Sequence, residues 1–509
     1  MLAPALALVV LAWLAFLPAV WSGFVSDDFL LLHNLHRAGG LGWVFSHNDA
    51  GEAGAAGHFY RPVWTLWNLG LFKAFGASTP AFHLGSLVLY ALVTLEVWLL
   101  AASFVDRSRA WIAAAAFAVY PRHGESVSWV SGNTDLVAVA SGLGALLFVR
   151  ARLPLWVRLL AVAVLTAAAT LAKEVAFVLP LLALLVVRRR RELVLPLAML
   201  VVEVGVFAGR YAAIGGIGGY SGYHWTPLHA LGSAASYALA ATTPPSVPVF
   251  RYWPLFFVPA AIAGLAAWRL VVLRRRRDDD LALAGRGLAW FLVALLPLLS
   301  LPVDLNNANG ERNLLLASVG LALALAALLP RVRAAAVAVV AVALAGALAL
   351  SLYSSFDWIE AGRLTKRLVP AAEALAPRGG ELVLLSAPES YRTAHVFTGG
   401  DLSEVLGYLG RTGFTTAICV PVNVREVRGD EIGFRAAGGA YDGETHWAAP
   451  FDFPVLHSAA GLTGECSYSR LPGGPEPPGL GLRALAEPHP SRQPVVLVYF
   501  DGRDWKRCC

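Results

Sequence analysis

Apolar runs succeed one another along most of the first 352 residues, at 3–21, 80–104, 109–121, 133–149, 156–172, 174–187, 193–209, 253–273, 287–303, 312–329 and 332–352. A helix needs about 20 apolar residues to cross a bilayer. Lipid offers no partner to a bare peptide group, so such runs must fold as helices. Short arginine-rich arcs follow the even-numbered runs: Arg107 and Arg109; Arg150, Arg152 and Arg158; Arg188 to Arg191; Arg274 to Arg277; Arg331 and Arg333. Loops that keep Lys and Arg stay in the cytoplasm. The pattern therefore predicts a polytopic α-helical membrane protein of about eleven transmembrane helices, with a cytoplasmic N-terminus. The loops 22–79, 121–132, 210–252 and 304–312 and the hairpin at Lys173-Glu174 then fall on the outer face.

Composition agrees. The chain is 57% hydrophobic and 15% charged, whereas soluble domains are about a quarter charged. A net charge of +6 does not point to nucleic acid, because the basic residues sit in the arcs between apolar runs. The first run lacks a basic n-region and is followed by further runs, so it reads as a retained helix rather than a signal peptide.

From residue 354 the pattern changes. An amphipathic helical period marks a linker over 354–377. Strand-like runs follow at Glu381–Ala387, Thr415–Val424, Glu431–Ala437 and Pro494–Phe500, separated by Gly/Pro-rich pieces such as 471–481. The expected organisation is a membrane domain over 1–353, the linker, and a small soluble α/β or β-rich domain over 378–509, outside the cell membrane. Cys419, Cys466, Cys508 and Cys509 all lie in this last part, and no Cys/His spacing suggests zinc. Cys419 and Cys466 can pair if the domain faces an oxidising compartment.

The polar residues of the outer loops carry the chemistry. Asp27 and Asp28 follow the first run directly. Carboxylates at a membrane boundary are costly to desolvate. Ser26 or Asp27 can cap a helix starting at Phe29, which is the plain structural role. The chemical role is a general base, with the neighbouring aspartate in support, because adjacent side chains diverge. Arg61, before Pro62, either anchors at the interface or holds an acidic loop or a phosphate bidentately. The segment from Tyr120 to Asp135 combines Arg122, His123, Glu125, Asn133 and Asp135; Asn133 reads as the cap of the next span, and Glu125 and Trp129 share a helical face. Lys173-Glu174 and Glu311-Arg312 are acid–base neighbours at span ends, either interfacial anchors or charges facing a cavity. Lys173 and Arg312 can neutralise a phosphate.

These segments resemble a known family. Ser26-Asp27-Asp28-Phe29-Leu30, Tyr60-Arg61-Pro62-Val63-Trp64, Pro80-Ala81-Phe82-His83-Leu84, His123-Gly124-Glu125-Ser126-Val127-Ser128-Trp129, Ala172-Lys173-Glu174-Val175 and Glu311-Arg312-Asn313-Leu314 occur in family order over roughly 20–330. The pattern is similar to the membrane half of the transmembrane and tetratricopeptide-repeat O-mannosyltransferases. These belong, with the protein O-mannosyltransferases, to the GT-C class of glycosyltransferases. The resemblance implies a GT-C-like fold and an inverting transfer of a sugar such as mannose. The donor would be a polyprenyl-phosphate sugar, and the acceptor a hydroxyl on protein, lipid or glycan at the extracytoplasmic face. It places the base at Asp27 or Asp28, and substrate-binding roles at Arg61, His83, His123, Glu125, Asp135, Lys173, Glu311 and Arg312. No metal site and no cofactor is implied, since a leaving phosphate is already a good anion. A bacterial inner-membrane relative fits the short loops. Three departures stand out: Asn133 replaces an arginine, Asn313 replaces a tyrosine, and no tetratricopeptide repeats follow. The competing classes are a polyprenyl-lipid flippase or transporter and a non-catalytic scaffold; Glu96 and Glu203, within the runs, are the residues a transporter would use.

Overall fold

The computed structural model describes residues 2–46, 57–216, 219–220, 226–245, 257–276, 280–305, 309–329, 334–384, 388, 390–397, 402–409, 414–421, 424–426, 432–434, 465–470, 480–481, 495–500 and 503–507. The Gly/Pro-rich piece 471–479, loop residues 221–225, 246–256 and 306–308, and Cys508 and Cys509 lie outside the described residues. The chain divides into two compact units. One comprises the described residues of Met1–Trp21, Arg37–Glu52 and Ala56–Phe356. The other comprises Ser22–His36 with the described residues of Asp357–Cys509.

The first unit is a helical bundle. Eight helices among the described residues are long and apolar enough to cross a membrane: Leu2–Trp21, Thr79–Ala102, Ser131–Arg150, Arg190–Ile214, Phe257–Arg275, Asp280–Leu298, Glu311–Leu328 and Ala338–Leu375. Leu155–Thr170 and Glu174–Val186 are shorter apolar helices, and Arg107–Ala118 is a twelve-residue helix lodged inside the bundle. The helices show two faces. On Thr79–Ala102, Leu84, Val88, Leu92 and Leu99 are exposed, while Phe82, Tyr90, Val93 and Val97 are buried. An exposed apolar stripe of that length is what a lipid-facing helix requires. The protein is thus a polytopic α-helical membrane protein.

Two glycines decide one helix pair. A Cβ on Gly287 would lie 2.6 Å from both Gly320 O and Ala324 N, and one on Gly320 would lie 2.7 Å from Phe291 N. Small residues let membrane helices approach backbone to backbone, where dispersion replaces the missing hydrophobic drive. Trp290 then donates to Leu316 O at 2.9 Å.

The arginine arcs also have a structural use. Arg150 donates to Val186 O (2.9 Å) and Ser103 O (2.6 Å), so its guanidinium caps two helix C-termini beside the Phe104 ring. Cations at helix C-termini satisfy orphan carbonyls and oppose the dipole. Arg158 reaches Glu192 at 3.2 Å, and Arg109 reaches Asp280 at 2.5 Å.

In the second unit a six-stranded sheet runs in the order Leu480–Gly481, Glu465–Arg470, Thr415–Pro421, Glu381–Leu384, Val495–Phe500, Trp505–Arg507. Glu381–Leu384 pairs in parallel with both neighbours, and the remaining pairs are antiparallel. The strands bearing Cys419 and Cys466 are adjacent, with Cys419 opposite Tyr468 and Cys466 opposite Pro421. The last span and the expected linker form one continuous 42-residue helix, Ala334–Leu375. The polar turn at 354 changes what the helix faces without breaking its backbone.

Gly287→Leu is expected to destabilise the bundle by about 1–3 kcal/mol through overpacking. Gly285→Leu, where a Cβ meets nothing within 4 Å, is expected to change stability by less than about 0.5 kcal/mol. Thermal unfolding of both variants in lipid nanodiscs checks the pair.

Candidate functional site

At one end of the bundle the loops bring charged residues together. Pro121 opens a short 3-10 turn, Pro121–His123, followed by Gly124–Ser128. The chain then doubles back so closely that a side chain at Gly132 would collide with Glu125 O. This fold-back turns Glu125 toward the segment 310–312. Glu125 accepts from the backbone amides of Arg312 (2.7 Å) and Gly310 (3.3 Å) and from the Arg312 guanidinium. That guanidinium also lies over Trp129, 4.9 Å from the ring centre. The shared face of Glu125 and Trp129 therefore cradles a single arginine.

The acid–base neighbours exchange partners. Lys173 pairs with Asp135 at 2.5 Å rather than with Glu174. Glu174 pairs with Arg61 at 2.9 Å and Arg210 at 2.7 Å. Glu311 pairs with Arg122, and Arg312 with Glu125. Among the described residues, five cations (Arg61, Arg122, Lys173, Arg210, Arg312) and four carboxylates (Glu125, Asp135, Glu174, Glu311) meet in these pairs. Arg210 was not legible as a site residue from the sequence, because it ends an apolar run. It is brought in by the helix Val194–Ile214 and by antiparallel pairing of Gly57–His58 with Gly219–Tyr220, which joins two distant loops.

Burial grades the cluster. The side chains of Arg61, Arg312 and Glu174 keep 15%, 16% and 29% of their surface accessible, against 1% for Arg122 and 7% for Lys173. Arg61 and Arg312 form the edge that an anion can touch. Arg122 is an inner strut, donating to Thr243 O (3.1 Å), Thr243 Oγ1 (3.0 Å) and Pro244 O (2.9 Å). Burial draws its pKa down to about 10, so it stays protonated at neutral pH. Burial also lowers Lys173 to about 8, with Arg312 and Arg61 adding to the fall and Asp135 opposing it.

His123 is enclosed. Nδ1 of His123 lies 2.8 Å from the Tyr90 hydroxyl, which donates to Phe117 O at 2.8 Å. Nε2 lies 2.8 Å from the Ser318 hydroxyl, which donates to Leu315 O. Burial holds this imidazole near 3, hence neutral, which suits a bolt between three helical segments. Asn133 does not cap the next span with its side chain. Its Oδ1 accepts from Trp64 Nε1 (2.6 Å) and Asn68 Nδ2 (3.4 Å), and its Nδ2 donates to Asn68 Oδ1 (3.3 Å). Asn313 bridges Lys173 (3.2 Å) and the Tyr237 hydroxyl (3.1 Å). His83 is buried, and neither of its ring nitrogens has a hydrogen-bond partner among the described residues.

Asp27 and Asp28 belong to the second unit. Helix Asp28–Arg37 starts one residue earlier than the sequence suggests. Asp28 is buried, and its carboxylate accepts from Val25 N at 3.0 Å while its own amide donates to Val25 O. The carboxylate thus closes the turn that leads into the helix. Asp27 is exposed. No group of three or more His, Cys, Asp or Glu suited to a metal ion occurs among the described residues.

No family model and no curated protein matches the chain. Among solved structures it is similar to ArnT from Cupriavidus metallidurans, crystallised with undecaprenyl phosphate. The identity is 14%, the TM-score 0.43, and the match covers 82% of this chain and 93% of that one.

Removing one member of a buried ion pair strands the other, at a cost of about 3–5 kcal/mol, whereas replacing both is nearly neutral. Lys173→Met is expected to lose stability on that scale, and Lys173→Met with Asp135→Leu to recover most of it. A double-mutant cycle on thermal unfolding measures the coupling.

Proposed function

We propose that the protein is a GT-C-type glycosyltransferase that moves a sugar, mannose by family resemblance, from a polyprenyl-phosphate donor to a hydroxyl acceptor on the extracytoplasmic face. The observation that carries this reading is the convergence of the family-order motifs Arg61, Glu125, Asp135, Lys173, Glu311 and Arg312 in one ion-pair cluster, at whose edge Arg61 and Arg312 stay accessible.

Asp27 is assigned as the base, because Asp28 spends its carboxylate on the Val25 amide. Asp27 takes the acceptor hydroxyl proton, and the oxygen attacks the anomeric carbon. The bond from that carbon to the phosphate oxygen breaks with inversion, and the electron pair leaves on the polyprenyl phosphate. Arg312 and Arg61 at the accessible edge, with Lys173 and Arg210 behind them, stabilise that charge. His83, with its unengaged ring nitrogens, is a donor or acceptor toward the sugar.

A transporter reading has one observation in its favour. Glu96 and Glu203 lie inside spans and are buried, each with a carboxyl oxygen unpartnered among the described residues. Asp27→Asn separates the two readings. The transferase should lose turnover by about 10²-fold or more and keep donor binding, whereas a flippase or scaffold should keep its activity. Mass spectrometry of glycoconjugates from cells carrying each variant supplies the readout.

The Lys173 acidity sets a pH limit. With its ammonium at about 8, the charge is present below that pH and lost above it. Polyprenyl-phosphate binding is expected to weaken as pH rises through about 8. Lys173→Arg should carry tight binding to higher pH, because a guanidinium stays charged. Titration of binding from pH 6.5 to 9.5 tests this, the range being set about 1.5 units either side of the midpoint.

A further inference from the structure

We propose that the C-terminal region is a clamp that fixes the backbone of the acidic loop, with Gly362, Asp357 and Thr393 as positioning residues. This rests on the reading of Asp27 as the base. Among the described residues, only Ser26 (φ 48°) and Arg392 (φ 53°) are non-glycine residues with positive φ. Such backbone is strained and persists only where its surroundings hold it. The two lie on segments joined by a hydrogen bond, from Ser26 N to Val396 O at 3.0 Å.

Three attachments hold the loop. Ser22 Oγ donates to Trp358 O at 2.7 Å. Gly23 and Gly362 meet backbone to backbone, so closely that a Cβ on Gly362 would lie 2.8 Å from Gly23 Cα. The Ser26 amide makes the third, on the chain just after the hairpin. That hairpin pairs Ser390 with His395 and Tyr391 with Ala394, leaving Arg392-Thr393 as its two-residue turn. A positive φ at the first turn position suits glycine, yet arginine stands there. Buried Asp357 holds the turn, accepting from Thr393 Oγ1 at 3.1 Å and pairing with Arg392 at 3.5 Å. His395 packs edge-on against Trp358, with ring centres 5.8 Å apart. Helix, hairpin and loop therefore close a ring of contacts around the turn that carries Asp27 and Asp28. Residues 22–28 and 357–397 are remote in sequence, so neither can hold this geometry alone.

The test uses the full chain in nanodiscs, with hydrogen–deuterium exchange over a peptide covering 22–31 and a control peptide within 134–150. A buried hydrogen bond to a charged group is worth about a tenfold change in an opening equilibrium. Thr393→Val is expected to speed exchange in 22–31 by about that factor, Thr393→Ser to restore it, and Gly362→Ala to speed it further. The control peptide should not change. Unchanged exchange in 22–31 for both Thr393→Val and Gly362→Ala overturns the clamp, as does equal acceleration in the control peptide. Glycoconjugate yield in cells supplies the second readout. Thr393→Val should reduce it in step with loop exchange and Thr393→Ser should rescue it. Full yield with a loosened loop, where Asp27→Asn abolishes yield, also overturns the proposal. If Asp27→Asn itself leaves yield intact, the transferase reading falls, and exchange alone then decides whether the clamp exists.

Discussion

Charge at a membrane boundary is the constraint that shapes this bundle. An ionised group near hydrocarbon is tolerated only when a partner and hydrogen bonds replace the water it has lost. The loops at one end of the bundle meet that demand through pairs that reach across the sequence: Arg61 with Glu174, Asp135 with Lys173, Arg122 with Glu311, Glu125 with Arg312. Each pair ties two segments that the chain alone would leave apart. The arcs at the other end solve the same problem differently, placing guanidinium groups on helix C-terminal carbonyls, as Arg150 does. A fully neutralised cluster would be a structural knot. Arg61 and Arg312 stay accessible at the edge of this one, within reach of an anion.

How much of this can be read from the sequence follows from the range of each interaction. Spans are legible because burial in lipid is imposed residue by residue along one helix. The runs at 80–104 and 133–149 correspond to Thr79–Ala102 and Thr134–Arg150 within a few residues. The strands Glu381–Leu384 and Val495–Phe500 are legible for the same local reason. The strand Glu465–Arg470 is not, because its polar, serine-bearing sequence carries no alternation of apolar residues. Pairings between loops carry no local signal at all. Lys173 and Glu174 invite pairing with each other, but their side chains diverge from adjacent backbone positions and find partners elsewhere. Arg210 follows an apolar run without a motif around it, and helix Val194–Ile214 carries it to Glu174.

Adjacent residues also diverge at the acidic doublet, and here the structure sharpens what the sequence leaves open. Two neighbouring carboxylates compete for one role only if they share an environment. Asp28 is buried and committed to the first turn of its helix, whereas Asp27 is exposed. A general base must be reachable and must have a lone pair to offer, and a carboxylate serving as a cap meets neither requirement well. The two neighbours thus differ in environment, and under the proposed function only Asp27 is placed to serve as the base.

The same reasoning bears on where the chain can be divided. Sequence pattern suggests a cut near 354, where hydropathy falls. The helix Ala334–Leu375 runs through that point without a break. On its far side, Asp357, Trp358 and Gly362 make contacts with the hairpin and with residues 22–23. Leu31 and Leu35 of the acidic-loop helix are buried and are grouped with this second unit. Residues beyond 356 are therefore not an appendage to a self-sufficient membrane domain, since part of their fold is supplied by a segment that directly follows the first span. A loop held by residues more than 300 positions away gains a single backbone geometry, at the cost of depending on the whole chain to form it. That dependence makes residues 22–36 and the described residues beyond 356 one folding unit.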